Sequence, residues 1–173
     1  MLIHYNLAMT NCKSFEPSID NNSTVLILGS MPSVRSLEEQ QYYAHPQNRF
    51  WKVMSVVCDE PNLVGFDYDL KLKTLLKNNI ALWDTVKTCK RNGSLDADIQ
   101  NEVPNEIREL LKKYPNIKTI CLNGNKSYLT FKKHFPDLLI KYSCNKILST
   151  SPANARYNLN MLVEEWSKII LKS

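Results

Sequence analysis

Short apolar runs alternate along this chain with longer stretches whose apolar positions recur every three or four residues. Residues 24–28 form an unbroken β-branched and aliphatic run stopped by Gly29, the pattern of a buried strand. Residues 80–83, 118–122 and 140–148 hold further strand-type runs, the first two closed by Asp84 and by Asn123-Gly124. Between them lie helical stripes: Trp51, Met54, Val57 and Cys58 within 48–58, and Leu72, Leu75 and Leu76 within 68–77. Pro104 suits a helix start and is followed by Ile107, Leu110, Leu111 and Tyr114 at helical spacing. Residues 126–135 predict another helix, and Leu159, Leu162, Val163, Trp166, Ile169 and Ile170 mark a last one. The polar stretch 11–23 predicts irregular structure.

Strand and helix in alternation predict an α/β fold, a three-layer α/β/α sandwich around a central, mostly parallel four-stranded sheet. No repeat, low-complexity tract or linker divides the chain, so one domain over residues 1–173 is expected. Ligands of open parallel sheets sit beyond the carboxyl ends of the strands. Here those ends carry Gly29-Ser30, Asp84, Asn123-Gly124 and Ser149-Thr-Ser151, so the chemically able residues converge on one rim.

Composition narrows this picture only a little. An apolar fraction of 43% with 23% charged residues is that of a soluble globular domain. The net charge of +5 is compatible with a polyanionic partner and shared by many unrelated proteins. No apolar run reaches the ~20 residues that span a bilayer, and the amino terminus lacks the basic and apolar regions of a secretory signal. The five cysteines, at 12, 58, 89, 121 and 144, are scattered and show no CxxC spacing. Reduced structural thiols are expected, with no zinc, iron–sulfur cluster or other metal and no cofactor.

The densest chemistry lies in Tyr43-Ala-His-Pro-Gln-Asn-Arg-Phe-Trp51, behind the turn Gly29-Ser-Met-Pro-Ser33. Aromatics beside an amide suit a pocket that stacks on a flat ring while polar groups read its edge. Asn48 can orient a water or hydrogen-bond a reacting centre, or it can simply cap the helix that follows. Trp51 falls on the apolar stripe and is expected in the core, and His45, preceding Pro46, is expected to fix the loop. Asp84 can accept from a ring N–H, or serve as a cap or ion-pair partner. Asn123-Gly-Asn-Lys126 can present a phosphate-facing helix start. Lys87, Lys90 and Arg91 have the pattern of a solvated face.

Together with Leu82-Trp-Asp-Thr85 and Leu148-Ser-Thr-Ser-Pro-Ala-Asn-Ala-Arg156, these segments resemble the uracil-DNA glycosylase superfamily over most of the chain, in the expected order. The resemblance is strongest to its hypoxanthine-DNA glycosylase branch, and next to the mismatch-specific uracil/thymine branch. It implies that Asn48 is the main catalytic group. Gly29, Ser30, Met31, Tyr43 and Asp84 would then bind the base, with Tyr43, or Tyr42 one residue earlier, stacking on it. Ser33, Ser149, Ser151, Asn154 and Arg156 would face the DNA. The chain departs from the superfamily pattern at two positions. Met31 stands where an aspartate or asparagine usually activates water, and Ser149 where a histidine or asparagine usually stabilises the departing base. Ala153 also stands where other branches place a leucine wedge.

The resemblance therefore implies a monofunctional N-glycosylase that removes deaminated bases from DNA, hypoxanthine first and then uracil or xanthine. It would act as a cytoplasmic, nucleoid-associated monomer, with no membrane partner. A mismatch-specific uracil enzyme and a lesion-binding module without catalysis are the principal alternatives; a hydrolase of free nucleosides fits the second motif less well.

Overall fold

The four strands that the apolar runs predict do form, and they lie parallel in one sheet. In the computed structural model, which describes residues 9–172, these are β2 (Val25–Gly29), β3 (Ile80–Asp84), β6 (Thr119–Asn123) and β7 (Ser143–Ile147), ordered β3-β2-β6-β7. Val25 pairs in register with Ile80 on one side and Thr119 on the other. Alternate residues of each strand enter different cores, because successive strand side chains point to opposite faces. Val25, Ile27, Ile80 and Leu82 pack under α2 (Phe50–Val57), α3 (Tyr68–Lys77) and α7 (Leu159–Ile170). Leu26, Leu28, Ala81 and Trp83 pack under α4 (Ile107–Lys113), α5 (Asn125–His134) and α6 (Leu138–Lys141). Both faces of β2, β3 and β6 are covered, which is why those strands are nearly continuous apolar runs; β7, at the edge, buries only Ile147. The remaining helix, α1 (Val34–Glu39), follows the turn after β2.

Four details differ from the sequence expectation. The stretch expected to be irregular begins with a strand, β1 (Thr10–Lys13), paired antiparallel to β4 (Val86–Arg91). The β4 strand pairs in turn with β5 (Gln100–Pro104), giving a second, three-stranded sheet. Pro104 ends that edge strand, and α4 starts three residues later; proline is tolerated at a sheet edge because the N–H it lacks is not needed there. The run 140–148 is split, its first residues ending α6 and only Ser143–Ile147 joining the sheet. Arg91, expected on a solvated face, is fully buried and donates to the Pro32 carbonyl at 2.5 Å.

The chain adds β3 on one side of β2 and then returns to add β6 on the other. That reversal leaves a crevice at the carboxyl ends of β2 and β6, the position where doubly wound sheets bind ligands.

Candidate active site

A cavity of about 770 Å³ occupies this crevice. Gly29, Asp84, Asn123 and Gly124 come to it from the strand ends, Tyr43 and Asn48 from the loop before α2, and Ser149–Asn154 from the loop after β7. All four strand ends singled out in the sequence therefore meet. Asp96, from the β4–β5 connection, completes one wall.

Close approach explains Gly29. A Cβ there would lie 2.5 Å from Asp84 Oδ1 and 3.3 Å from the Tyr43 hydroxyl, so only glycine lets both groups reach the strand end. Thr85 clamps this end by donating its backbone N–H (2.8 Å) and hydroxyl (3.1 Å) to the Gly29 carbonyl. Met31 borders the cavity but is itself packed among Cys12, Val86, Cys89 and Ile99. The Ser33 hydroxyl accepts from the Ser36 N–H and so caps α1.

Tyr43 is in the left-handed region, with φ 56°, a conformation uncommon for a bulky side chain. Its half-buried ring stacks on Phe50 with centroids 3.8 Å apart and planes 18° apart. Asn123 Nδ2 donates to its hydroxyl at 3.3 Å, and burial with nearby Asp84 pushes that hydroxyl well above its ordinary pKa. Tyr42, by contrast, is buried and donates its hydroxyl to the Glu16 carbonyl at 2.9 Å. Trp51 is in the core as expected, donating its indole N–H to the Tyr42 carbonyl. His45 fixes the loop by accepting from the Gln47 N–H at Nδ1.

Asn48 lies one residue before the N-cap of α2, Arg49, and borders the cavity. Its Oδ1 accepts from the Phe50 N–H at 3.0 Å, which fixes the amide plane at the start of α2. Its Nδ2 has no hydrogen-bond partner among the described residues. The amide is therefore held as a donor.

Asp84 is 4% exposed, and burial raises its carboxyl from 3.8 to about 7. The Ser14 hydroxyl donates to Oδ2 at 2.9 Å and opposes that rise, as does the buried Arg91 charge; Asp96 adds to it. Oδ1, on the Gly29 side, has no hydrogen-bond partner among the described residues.

The loop after β7 is held by Arg49, to which sequence reasoning gave no role, and by Asn123, which it placed only at a strand end before a helix. The Arg49 guanidinium donates to the carbonyls of Ser151 and Asn154, each at 2.9 Å, and to that of Tyr157. Asn123 donates to the Thr150 hydroxyl and accepts from the Thr150 N–H, both at 3.2 Å. Ser149 and Ser151 hydroxyls accept from the N–H groups two residues on. The Asn154 amide turns back to the Ser149 carbonyl at 3.0 Å, whereas Ala153 and Arg156 are exposed. Gly124, with φ 92°, leaves room for this loop, since a Cβ there would stand 2.9 Å from Ser149 Cβ. Only polar residues in a strand-to-helix turn hinted at Asn123; nothing in the sequence tied Arg49 to a loop a hundred residues away.

Fold and cleft together define a doubly wound α/β domain with an aromatic-walled pocket at its switch point. The chain belongs to the uracil DNA glycosylase superfamily, whose family model matches residues 16–170. A protein of Methanosarcina acetivorans named hypoxanthine DNA glycosylase is 37% identical over 159 residues, which cover 91% of this chain and 96% of that protein. One of the same name from Methanosarcina barkeri is 38% identical over 145 residues, covering 83% and 89%. A solution NMR structure from Methanosarcina acetivorans, provisionally named a uracil DNA glycosylase, superimposes with a TM-score of 0.80 at 36% identity, covering 93% of this chain and 97% of that one.

Proposed function

We propose that this protein is a monofunctional DNA glycosylase that hydrolyses the N-glycosidic bond of deaminated bases, hypoxanthine foremost. The observation that carries the reading is the meeting of Tyr43, Asp84 and Asn48 around one cavity at the switch point. The relatives named hypoxanthine DNA glycosylase support the choice of base. The basic excess suits a DNA partner, and the exposed Arg156 and the Ser149–Ser151 turn suit its phosphates.

A base inside a duplex cannot reach this cavity, so the nucleotide must be extruded, at a cost of a few kcal/mol that is least for a mispaired base. Tyr43, backed by Phe50, offers it a rigid stacking surface; stacking of this kind is worth ~1–3 kcal/mol per base. Asp84 Oδ1 accepts from the ring N–H beside the carbonyl that deamination creates, N1–H in hypoxanthine and N3–H in uracil. Adenine has no hydrogen at N1, so the ionised carboxylate finds no ring N–H there. Asn48 Nδ2 donates either to the attacking water or to the departing ring as charge develops in the transition state.

The test is base release from duplexes carrying one hypoxanthine, uracil or xanthine, with Asn48→Ala alongside. Hypoxanthine release that collapses in the variant supports the reading. Uracil release alone would reassign the preferred base. Tight binding without release from any duplex would leave a lesion-binding module and overturn the enzyme.

A further inference from the structure

Eleven large apolar side chains are exposed among the described residues, and one of them, Leu95, borders the cavity. It lies in the connection between β4 and β5, just after Gly93, whose φ of 74° makes the turn. Leu95 is 56% exposed, while Ile99, a few residues on, turns into the small core beside Val86. Both neighbours of Leu95 are tied to the segment after β2. Ser94 Oγ accepts from the Val34 N–H at 2.9 Å, and Asp96 Oδ1 accepts from the Ser30 hydroxyl at 2.5 Å. The Leu95 carbonyl accepts from the Asp98 N–H. Leu95 is thus an apolar side chain held in water at the cavity mouth by a pinned backbone. Collapse onto the protein would remove its apolar surface from water, and the two anchors oppose that movement.

We propose that Leu95 is the apolar wedge that enters the base stack where the damaged nucleotide leaves it, resting on the glycosylase reading above. Side chains of this kind partially unstack a base step and fill the space that opens. The loop after β7 exposes no large apolar side chain: Ala153 is small, the Asn154 amide is bound back to Ser149, Arg156 carries its charge over the Tyr157 ring, and Pro152 is partly buried. The wedge and the phosphate-facing loop then both border the one cavity into which the nucleotide swings.

The test compares Leu95→Ala, Leu95→Gln and Leu95→Met with the wild type in single-turnover release of hypoxanthine from duplex DNA. A 2-aminopurine beside the lesion reports unstacking in stopped flow before release. Because Leu95 is exposed, all three variants should keep the wild-type Tm. Alanine and glutamine should slow release at least tenfold and suppress the fluorescence rise, and methionine should restore both. Wild-type rates and fluorescence in Leu95→Ala, or equal performance of glutamine and methionine, would overturn the wedge. If the wild type itself releases no base, the glycosylase reading falls, and the fluorescence comparison still decides the wedge.

Discussion

Replacing Asp84 with asparagine should make the protein more stable and less active. The carboxyl is buried, and burial moves it from 3.8 to about 7. A carboxyl whose native pKa lies above its unfolded one favours folding fully below about pH 4 and loses that contribution as pH rises through about 7. Each pH unit between the two values corresponds to 1.36 kcal/mol, so ionisation of Asp84 costs roughly 4 kcal/mol of stability by pH 8. Asparagine is nearly isosteric and keeps its Oδ1 as acceptor for the Ser14 hydroxyl, which places its Nδ2 where the unpartnered carboxylate oxygen stood. Thermal unfolding of wild type and Asp84→Asn from pH 4 to pH 8 measures the difference. Asp96, also raised by burial, bends both curves, and its repulsion of Asp84 forms part of the difference between them. The curves should meet near pH 4 and part by roughly 10 °C at pH 8, taking ~2–4 °C per kcal/mol for a domain of this size. Hypoxanthine release should fall roughly 10- to 100-fold, because a donor then faces the ring N–H and a buried pairing is left unmade. Parallel unfolding curves over the whole range would refute the reasoning, since Asp84 would then ionise at no cost.

Three other substitutions test the site. Asn48→Asp keeps the acceptor for the Phe50 N–H and removes the donor, so release should drop at least a hundredfold with Tm within a few degrees of wild type; Asn48→Ala should also lose about 1 kcal/mol with the hydrogen bond from the Phe50 N–H, seen in denaturant unfolding. Gly124→Ala forces a Cβ to 2.9 Å from Ser149 Cβ at a φ that disfavours it, and should cost ~1–3 kcal/mol in urea unfolding while weakening duplex binding by gel shift. Arg49→Met unties three carbonyls of the loop after β7, so protease cleavage between 149 and 157 should accelerate more than tenfold, while cleavage elsewhere is little changed.

The main sheet was legible because β2, β3 and β6 are covered on both faces and so are written as nearly unbroken apolar runs, as Val25 through Leu28 illustrate. The second sheet was not. Of β1 only Cys12 is buried, and β5 has no buried residue, so backbone ladder bonds rather than apolar burial define those strands. The same logic divides the site. Asn48 and Asp84 stand next to a helix start and at a strand end, and Tyr43 in the loop between α1 and α2, where an amide, an acid and an aromatic are conspicuous. Ser14, Asn123 and Arg49 act through partners 70, 80 and more than 100 residues away, a pairing that no local pattern encodes. Arg91 reversed its expected place because its burial depends on the Pro32 carbonyl, 59 residues distant.

Arg49 adjoins Asn48, and its guanidinium grips the segment that would face the DNA backbone. Chemistry and grip are therefore two ends of one lever pivoting at the start of a helix. A change of length or course in that segment would be transmitted directly to the amide beside it, so it has little freedom to diversify. The β4–β5 tip is fastened to its neighbour by two serine-mediated bonds and has no comparable grip on Asn48. Changes at that tip would bear on Leu95 and, through Asp96, on Asp84, and leave the Asn48 amide untouched.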